Sequence, residues 1–396
     1  MKIIGIDEEE NQVKKISKKK IIIASVVGVL LIAIIVIAIL YCVNKEFRDF
    51  WDRYVLMKDV SENNLPSIAI DGVDSNHIFA YDKYIVILQN NVLTAYNSSG
   101  KQEYTEEMQI TTPIADHKGR FLLIGDKGAQ KLYLMAGNKK VWEKSLEGNI
   151  SRVAVNKNGY VAVVLTGTTY QSVIQIFDAT GKELFKTYLS TSTVTDVDIS
   201  LDNRYVSFVE VSSEATLVQS NIKTISVEKA STTPSESIIY TSEMQTNRLP
   251  IAIQYQEQNK LICFFDNEID IWKDGKLEAI MNLEEANKKI TFADIQLNNQ
   301  VVRVIENSSL LHTESTIEIM NTDNKNTSTY VLEGVLREMI TYDEVIALNL
   351  GSEVHFIGTN GWLKKKYTSS QEIKKIIVTD AFSGIVYRDK IEIVSY

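Results

Sequence analysis

Cysteine is nearly absent from this sequence of 396 residues. Of the two cysteines, Cys42 lies in an uncharged apolar run near the N-terminus and Cys263 lies in a second apolar stretch, 261–265. Two such cysteines cannot form the disulfide framework of a small secreted domain, and we interpret Cys263 as a buried structural thiol. Packing must therefore hold the folded part of the chain together.

Histidine and the familiar catalytic motifs are also scarce. The four histidines never occur at the spacing of a metal-binding pair, and they are His77, His117, His312 and His355. The sequence has no Gly-x-Ser-x-Gly elbow, no glycine-rich phosphate loop and no His-Glu-x-x-His. We therefore predict no catalytic residue, no metal site and no cofactor. Acidic residues outnumber basic ones by 51 to 42, which disfavours nucleic acid as a partner.

The longest apolar segment is the uncharged run 21–43. As a helix it would be about 34 Å long, enough to cross a hydrocarbon core of about 30 Å. A cleaved signal peptide is the alternative, but its apolar core is shorter and is followed by a small-x-small site that is missing here. The run therefore predicts one transmembrane helix that remains as an anchor.

The flanks of this run predict its orientation, because positive residues are retained on the cytoplasmic side. Five lysines precede the run closely, at positions 14, 15, 18, 19 and 20, whereas the basic residues after it alternate with acidic ones. We expect a cytoplasmic tail at 1–20, a juxtamembrane linker at 44–65 and an extracytoplasmic domain at 66–396.

Aromatic residues in the linker have helical spacing, at Phe47, Phe50, Trp51 and Tyr54. We interpret them as an aromatic belt at the lipid interface that continues the anchor helix. A docking stripe for a membrane helix of a partner is the alternative.

The remainder of the chain is rich in strand-forming residues and repeats itself. A polar turn followed by an apolar run recurs eight times, at intervals of 37 to 56 residues, with run heads at 84, 121, 160, 205, 261, 301, 345 and 385. A second turn with Gly or Asn, residues that adopt the positive φ of tight hairpins, follows in most repeats. Two hairpins per repeat predict four antiparallel strands, so the fold class is all-β, an eight-bladed β-propeller, with seven blades as the alternative.

Ring closure and one insertion can also be predicted. The last repeat has room for three strands, and a strand-like stretch at 66–71 precedes the first repeat. We expect 66–71 to supply the missing outer strand, although an irregular linker is the alternative. The longest interval contains the low-complexity stretch 230–237, which predicts a surface loop inside the fourth repeat.

Two segments resemble known propeller repeats. The stretch 177–185 (Phe-Asp-Ala-Thr-Gly-Lys-Glu-Leu-Phe) is similar to quinoprotein-type blades, and 199–206 (Ile-Ser-Leu-Asp-Asn-Arg-Tyr-Val) is similar to the Asp-bearing turn of WD40-like blades. The whole layout resembles an uncharacterised family of membrane-anchored propellers of Gram-positive bacteria, a resemblance that implies the fold but no activity. Phe185 stands where quinoprotein docking motifs have tryptophan, so quinone binding is not implied.

Charged residues on the predicted innermost strands are the candidate site, because these strands line the central channel. The candidates are Arg152, Asp196, Asp198, Asp294 and Arg337. Asp196 and Asp198 are two residues apart and should share one face of a strand. A polar ligand or a cation could bind there, but charge is also tolerated in a water-filled channel without function.

We therefore expect a membrane-anchored extracytoplasmic binding or scaffold module that presents a propeller face to an envelope protein or a wall-associated ligand. An enzyme that acts on envelope polysaccharide through channel carboxylates is the alternative. A sensor that relays through the short N-terminal tail is a third possibility.

Overall fold

The computed structural model describes residues 28, 34–41, 47, 51, 65–212, 218–246, 248–284, 288–308 and 313–396. The chain divides into two units, Met1–Ser61 and Glu62–Tyr396. In the first unit the described residues are helical, and the rings of Phe47 and Trp51 stack with centroids 5.7 Å apart. Across the described ranges, no helix combines the length and apolar character needed to cross a membrane. The predicted tail 1–20, most of the predicted span, Phe50 and Tyr54 lie outside those ranges.

The second unit is an eight-bladed β-propeller, as the repeats predict. Its described residues form 32 strands in eight four-stranded antiparallel sheets, each of which is one blade. Blade 1 consists of β2 (Ile78–Tyr81), β3 (Tyr84–Gln89), β4 (Val92–Tyr96) and β5 (Gln102–Glu107). Blade 2 consists of β6 (Pro113–Lys118), β7 (Phe121–Asp126), β8 (Lys131–Ala136) and β9 (Lys139–Ser145). Blade 3 consists of β10 (Asn149–Val155), β11 (Val161–Thr166), β12 (Ser172–Phe177) and β13 (Glu183–Leu189).

The fourth, fifth and sixth blades follow the same order from the channel outward. Blade 4 consists of β14 (Thr193–Ile199), β15 (Tyr205–Ser212), β16 (Gln219–Ser226) and β17 (Ile238–Thr241). Blade 5 consists of β18 (Pro250–Gln256), β19 (Lys260–Phe265), β20 (Glu268–Lys273) and β21 (Lys276–Asn282). Blade 6 consists of β22 (Lys289–Asp294), β23 (Gln300–Ser308), β24 (Thr313–Asn321) and β25 (Thr327–Glu333).

The last two blades include the strand that closes the ring. Blade 7 consists of β26 (Glu338–Tyr342), β27 (Val345–Asn349), β28 (Glu353–Gly358) and β29 (Leu363–Thr368). Blade 8 consists of β30 (Lys375–Val378), β31 (Ser383–Val386), β32 (Lys390–Val394) and the N-terminal strand β1 (Ser67–Ala69). Helical turns are short, namely α1 (Val227–Thr232) and the 3-10 turns Ser75–His77, Pro234–Glu236 and Glu257–Asn259.

Ring closure by the N-terminal stretch is confirmed. Strand β1 pairs antiparallel with β32, so that Ile68 lies opposite Ile391. The side chain of Ile68 is buried between blades 8 and 1, where it packs with Ile78 and Ile391. The closing strand therefore covers the outer edge of β32 and also completes an apolar core.

The predicted turns have the backbone conformation that their residues favour. Seven of the eight turns between the first two strands of a blade contain a residue with positive φ, at Asp82, Gly119, Gly159, Asn203, Asn259, Asn299 and Asp343. Asn and Asp tolerate this region better than other non-glycine residues. The turn chemistry that is visible in the sequence therefore sets the ends of these hairpins.

Apolar cores lie between neighbouring blades, and each of the eight junctions has one. The core between blades 4 and 5 is the smallest among the described residues. It has five buried members, namely Val209, Ile222, Ile253, Cys263 and Phe265, whereas the other seven cores have seven to fourteen. This junction is consequently the one with the least apolar packing between its blades.

The insertion in the fourth repeat is more ordered than the predicted surface loop. It forms α1 and a 3-10 turn between β16 and β17, and the side chain of Ala230 is buried in the core shared with blade 3, near Phe185. After the insertion, β17 pairs with β16 at only three positions. The insertion therefore packs against blade 3, and the outermost strand of blade 4 is short.

Candidate functional site

Polar side chains of the innermost strands connect each blade to the next. At every junction, at least one of these side chains is hydrogen-bonded to a group of the following blade, and we call these contacts the junction hydrogen bonds. In ring order from blade 1, the side chains are Tyr81, Asp116, Arg152, Asp196 with Asp198, Gln256, Asp294, Glu338 and Lys375. Four of the five sequence-predicted site residues belong to this ring.

Asp196 and Asp198 lie on one face of β14, as their spacing predicts. The Oδ2 atom of Asp196 accepts a hydrogen bond from the backbone N–H of Ile253 at 2.8 Å. The Oδ2 atom of Asp198 accepts one from Tyr255 at 2.6 Å, and its Oδ1 atom accepts one from Ile199 at 2.8 Å. Desolvation within the ring raises the pKa of Asp196 to about 6 and that of Asp198 to about 7.

Asp116 and Asp294 are bound in the same way. Asp116 accepts hydrogen bonds from the N–H groups of His117 and Val155, and Asp294 accepts one from the hydroxyl of Thr341 at 2.5 Å. Desolvation raises the pKa of both carboxyls, and the positive charge of Lys118 opposes that rise at each of them. The charge of Lys118 also acts to lower the pKa of Asp198, so its electrostatic field reaches carboxyls of blades 2, 4 and 6.

The two predicted arginines have different positions. Arg152 donates from Nε to the backbone oxygen of Thr195 at 2.7 Å, and its charge lowers the pKa of Asp196 against the effect of desolvation. Arg337 precedes β26 and is exposed, with its Nη1 atom 3.3 Å from Glu372. Its guanidinium also packs against Gly351, where φ is +105° and an added Cβ would lie 2.7 Å from the arginine. Arg337 is therefore not part of the junction hydrogen bonds.

The second candidate site is a cleft between blades 4 and 5, which we call cleft 4–5. It has a volume of about 840 Å³ and runs from Arg204 and Asn259, near the turns of one face, to Ser242 and Gln245, in the connection on the other face. This volume lies within the range of about 300–1,000 Å³ that is typical of ligand pockets. The cleft occurs where the apolar core between blades is smallest and the outer strand is short.

Aromatic residues from both blades form the walls of cleft 4–5. Tyr240 on β17 and Trp272 on β20 face each other with ring centroids 6.3 Å apart, and Phe265, Leu261 and Leu277 extend the wall on blade 5. The lining is partly polar, because it also includes the hydroxyls of Thr224 and Tyr255 and the amides of Asn221 and Gln245. The cleft can therefore hold apolar groups while a few hydroxyls and amides orient them.

The arginines that line cleft 4–5 are paired. The guanidinium of Arg248 binds Glu268 and lies 3.0 Å from the Oδ2 atom of Asp270, which is fully buried. The same guanidinium lies 4.0 Å from the centroid of the Phe265 ring. Burial raises the pKa of the Cys263 thiol, so that this lining residue is neutral at physiological pH.

Sequence reasoning did not identify cleft 4–5. Its lining residues come from seven strands of two blades, from turns and from the connection between β17 and β18, and no motif links them. The only signal in the sequence is the longest repeat interval, which contains the insertion before β17. The sequence likewise gave no indication that His117 stacks on Tyr342.

Comparison with protein families identifies one match, which covers most of the chain. A family described as "Family of unknown function (DUF5711)" matches residues 61–395. No curated protein matches the sequence.

Solved structures with a similar fold include two propellers of low sequence identity. The crystal structure of BamB from Moraxella catarrhalis has a TM-score of 0.50 and 13% identity, and the match covers 84% of this chain and 97% of that one. The C-terminal WD40 domain of Sif2 has a TM-score of 0.55 and 12% identity, with 84% and 99% covered. At these identities the likeness shows the propeller fold alone.

Proposed function

The chain belongs to the DUF5711 family of unknown function, and we propose that it is a protein-interaction scaffold anchored to a membrane, with its propeller outside the cytoplasm. The propeller presents its surface to an envelope protein or to a wall-associated ligand. Support for the anchor comes from the apolar run 21–43 and from the lysines that precede it. Support for a binding role comes from the fold, which recurs in BamB and in a WD40 domain.

The junction hydrogen bonds are the observation that most favours a scaffold. Asp116 and Asp198 each accept hydrogen bonds at both oxygens, one from the following blade and one from their own strand. A carboxylate bound in this way cannot turn towards a substrate without losing a contact that joins two blades. Recognition is then left to the loops and clefts at the surface, which requires no catalytic group.

An enzyme acting on envelope polysaccharide is the second candidate, favoured by the raised pKa values of Asp196 and Asp198. Turnover of envelope glycan by the purified chain distinguishes the two functions. We expect none. Turnover that is lost in the Asp196→Asn/Asp198→Asn double variant and kept in the surface control Glu236→Gln would establish the enzyme instead.

A photo-crosslinking scan tests the scaffold. A photoreactive amino acid is placed, one position at a time, at exposed positions around the propeller, including Val141, Tyr188, Leu277, Val331 and Trp362. We expect specific protein adducts in living cells from at least one surface. A scan without protein adducts at any position would contradict the scaffold.

Protease accessibility tests the orientation in the membrane. In cells freed of their wall, added protease should remove the propeller and leave the lysine-rich tail intact. A protected propeller would overturn the proposed localisation.

A further inference from the structure

Half of the exposed large apolar side chains in the described part of the propeller belong to strands or to a connection that border cleft 4–5, and two of them, Ile239 and Leu277, line it. Fourteen large apolar side chains are exposed among the described residues of the propeller, and seven of them belong to β17, β18, β21 or the connection between β17 and β18. These seven are Ile238, Ile239, Met244, Leu249, Ile251, Leu277 and Ile280. A group of exposed apolar side chains on a protein surface is typical of a binding site.

The charges of the cleft select against an anionic occupant. Arg248 is held by Glu268 and Asp270, and Arg204 is held by Asp202 at 2.6 Å. Because these guanidinium groups are already paired, an anion would have to displace a carboxylate from them. The carboxylates that line the cleft, Glu243 and Asp274, are exposed and would also repel an anion. The complementary ligand therefore carries no negative charge.

The shape of the cleft favours an extended chain over a compact molecule. The lining residues come from seven strands of the two blades and reach from one face of the propeller to the other. The outermost strand β17 has a strand neighbour on one side only, so the backbone of 238–241 offers an open edge. A polypeptide segment in extended conformation can use such an edge and can also place alternate side chains in the cleft.

We propose that cleft 4–5 binds an extended and largely apolar segment of a partner polypeptide that has no acidic residues. This inference rests on the proposed scaffold function and specifies its site. Alternate side chains of the segment enter the cleft and contact Trp272, Tyr240 and Leu277, and Asn221 and Gln245 hydrogen-bond its backbone. Aromatic walls and a few amides would also suit a neutral sugar, so an oligosaccharide is the competing outcome of the test.

The test uses the full chain in nonionic detergent, panned against a phage library of random dodecapeptides. Ile239→Lys and Leu277→Lys alter the mouth of the cleft at side chains that are 45% and 44% exposed, so folding should be retained. Val331→Lys is the matched control, because Val331 is 51% exposed on β25, the outer strand of blade 6. Melting temperatures of all variants verify folding.

We expect enriched peptides with apolar residues at alternate positions and no acidic residues. Each cleft variant should weaken their binding about tenfold or more, and the control should leave it unchanged. No enrichment over empty micelles, or binding that survives both cleft variants, would overturn the proposal. Binding of neutral oligosaccharides, lost in the cleft variants while no peptide binds, would assign the cleft to a sugar instead.

The crosslinking scan separates the two proposals. Adducts at Val141 or Trp362 but not at Leu277 would retain the scaffold and reject this site. An absence of adducts everywhere would reject the scaffold itself.

Discussion

His117 of blade 2 and Tyr342 of blade 7 stack on each other across the central channel, with ring centroids 5.2 Å apart and an interplanar angle of 16°. Their strands, β6 and β26, are separated by blades 1 and 8 in the ring. The contact therefore bridges the channel and covers the imidazole. Burial, together with the charge of Lys118, lowers the pKa of His117 to about 4.

Removal of the tyrosine ring should raise the pKa of His117. In Tyr342→Ala the imidazole regains access to water, and its charged form is then less disfavoured. We expect an NMR titration to move the pKa of His117 from about 4 towards the ordinary value of about 6.5. Tyr188→Ala, which removes an exposed ring on blade 3, is the control and should leave this titration unchanged. Equal values in wild type and Tyr342→Ala would show that the stack does not shield the histidine.

Asp198 should make the propeller less stable as the pH rises. Its folded pKa of about 7 lies above the unfolded value of about 3.9, so between these values the folded state holds a proton that the unfolded state has lost. The stabilisation is complete below about pH 4 and disappears as the pH rises through about 7, with a slope of up to about 1.4 kcal/mol per pH unit. Relative to wild type, Asp198→Asn should thus gain stability from about pH 4 to about pH 8.

Urea unfolding across this pH range measures the effect. Asp202→Asn is the control, because hydrogen bonds lower the folded pKa of Asp202 to about 2. Both states of Asp202 are ionised above about pH 5, so the difference between this variant and wild type should stay constant there. A pH-independent difference for Asp198→Asn would mean that this carboxyl is ionised in the folded ring.

Shortening a side chain of the closing strand β1 should destabilise the propeller more than shortening a side chain of the outer strand β17. Ile68→Ala removes buried methyl groups from the core between blades 8 and 1 and should lower the free energy of unfolding by about 2–5 kcal/mol. Ile238→Ala, at a 44% exposed position of β17, should change it by no more than about 0.5 kcal/mol. Equal losses in denaturant unfolding would contradict the contribution of β1 to closure.

Two arginine pairs, one buried and one exposed, should differ strongly in their effect on stability. Arg248→Met leaves the buried charge of Asp270 without its partner and should cost about 3–5 kcal/mol, and addition of Asp270→Asn should restore part of the loss. Arg204→Met breaks the pair with Asp202, where the arginine side chain is 68% exposed, and should cost at most about 1 kcal/mol. Thermal unfolding of the three variants, each compared with wild type, measures this. Similar losses for Arg248→Met and Arg204→Met would contradict the burial argument.

The sequence by itself determined the propeller and its closure. Residues such as Gly119 and Asn203 favour a positive φ, which reverses the chain within a few residues. Each hairpin turn can therefore be recognised from a few sequence positions. Eight recurrences of that local pattern predict eight blades, and an unpaired strand at 66–71 with a three-stranded last repeat predicts where the ring closes. These features are local or periodic, and both kinds of information are present in the order of the residues.

Only the tertiary structure decided what the polar residues contact. Asp198 and Tyr255 are separated by 57 residues and meet because neighbouring blades place β14 beside β18. Cleft 4–5 likewise depends on the distance between the sheets of blades 4 and 5. That distance is set by the core that contains Ile222 and Phe265 and by the insertion before β17. The sequence predicts which face of its strand Asp198 occupies. The N–H group that donates to Asp198 belongs to another repeat, however, and the closed ring as a whole sets the distance between the two groups.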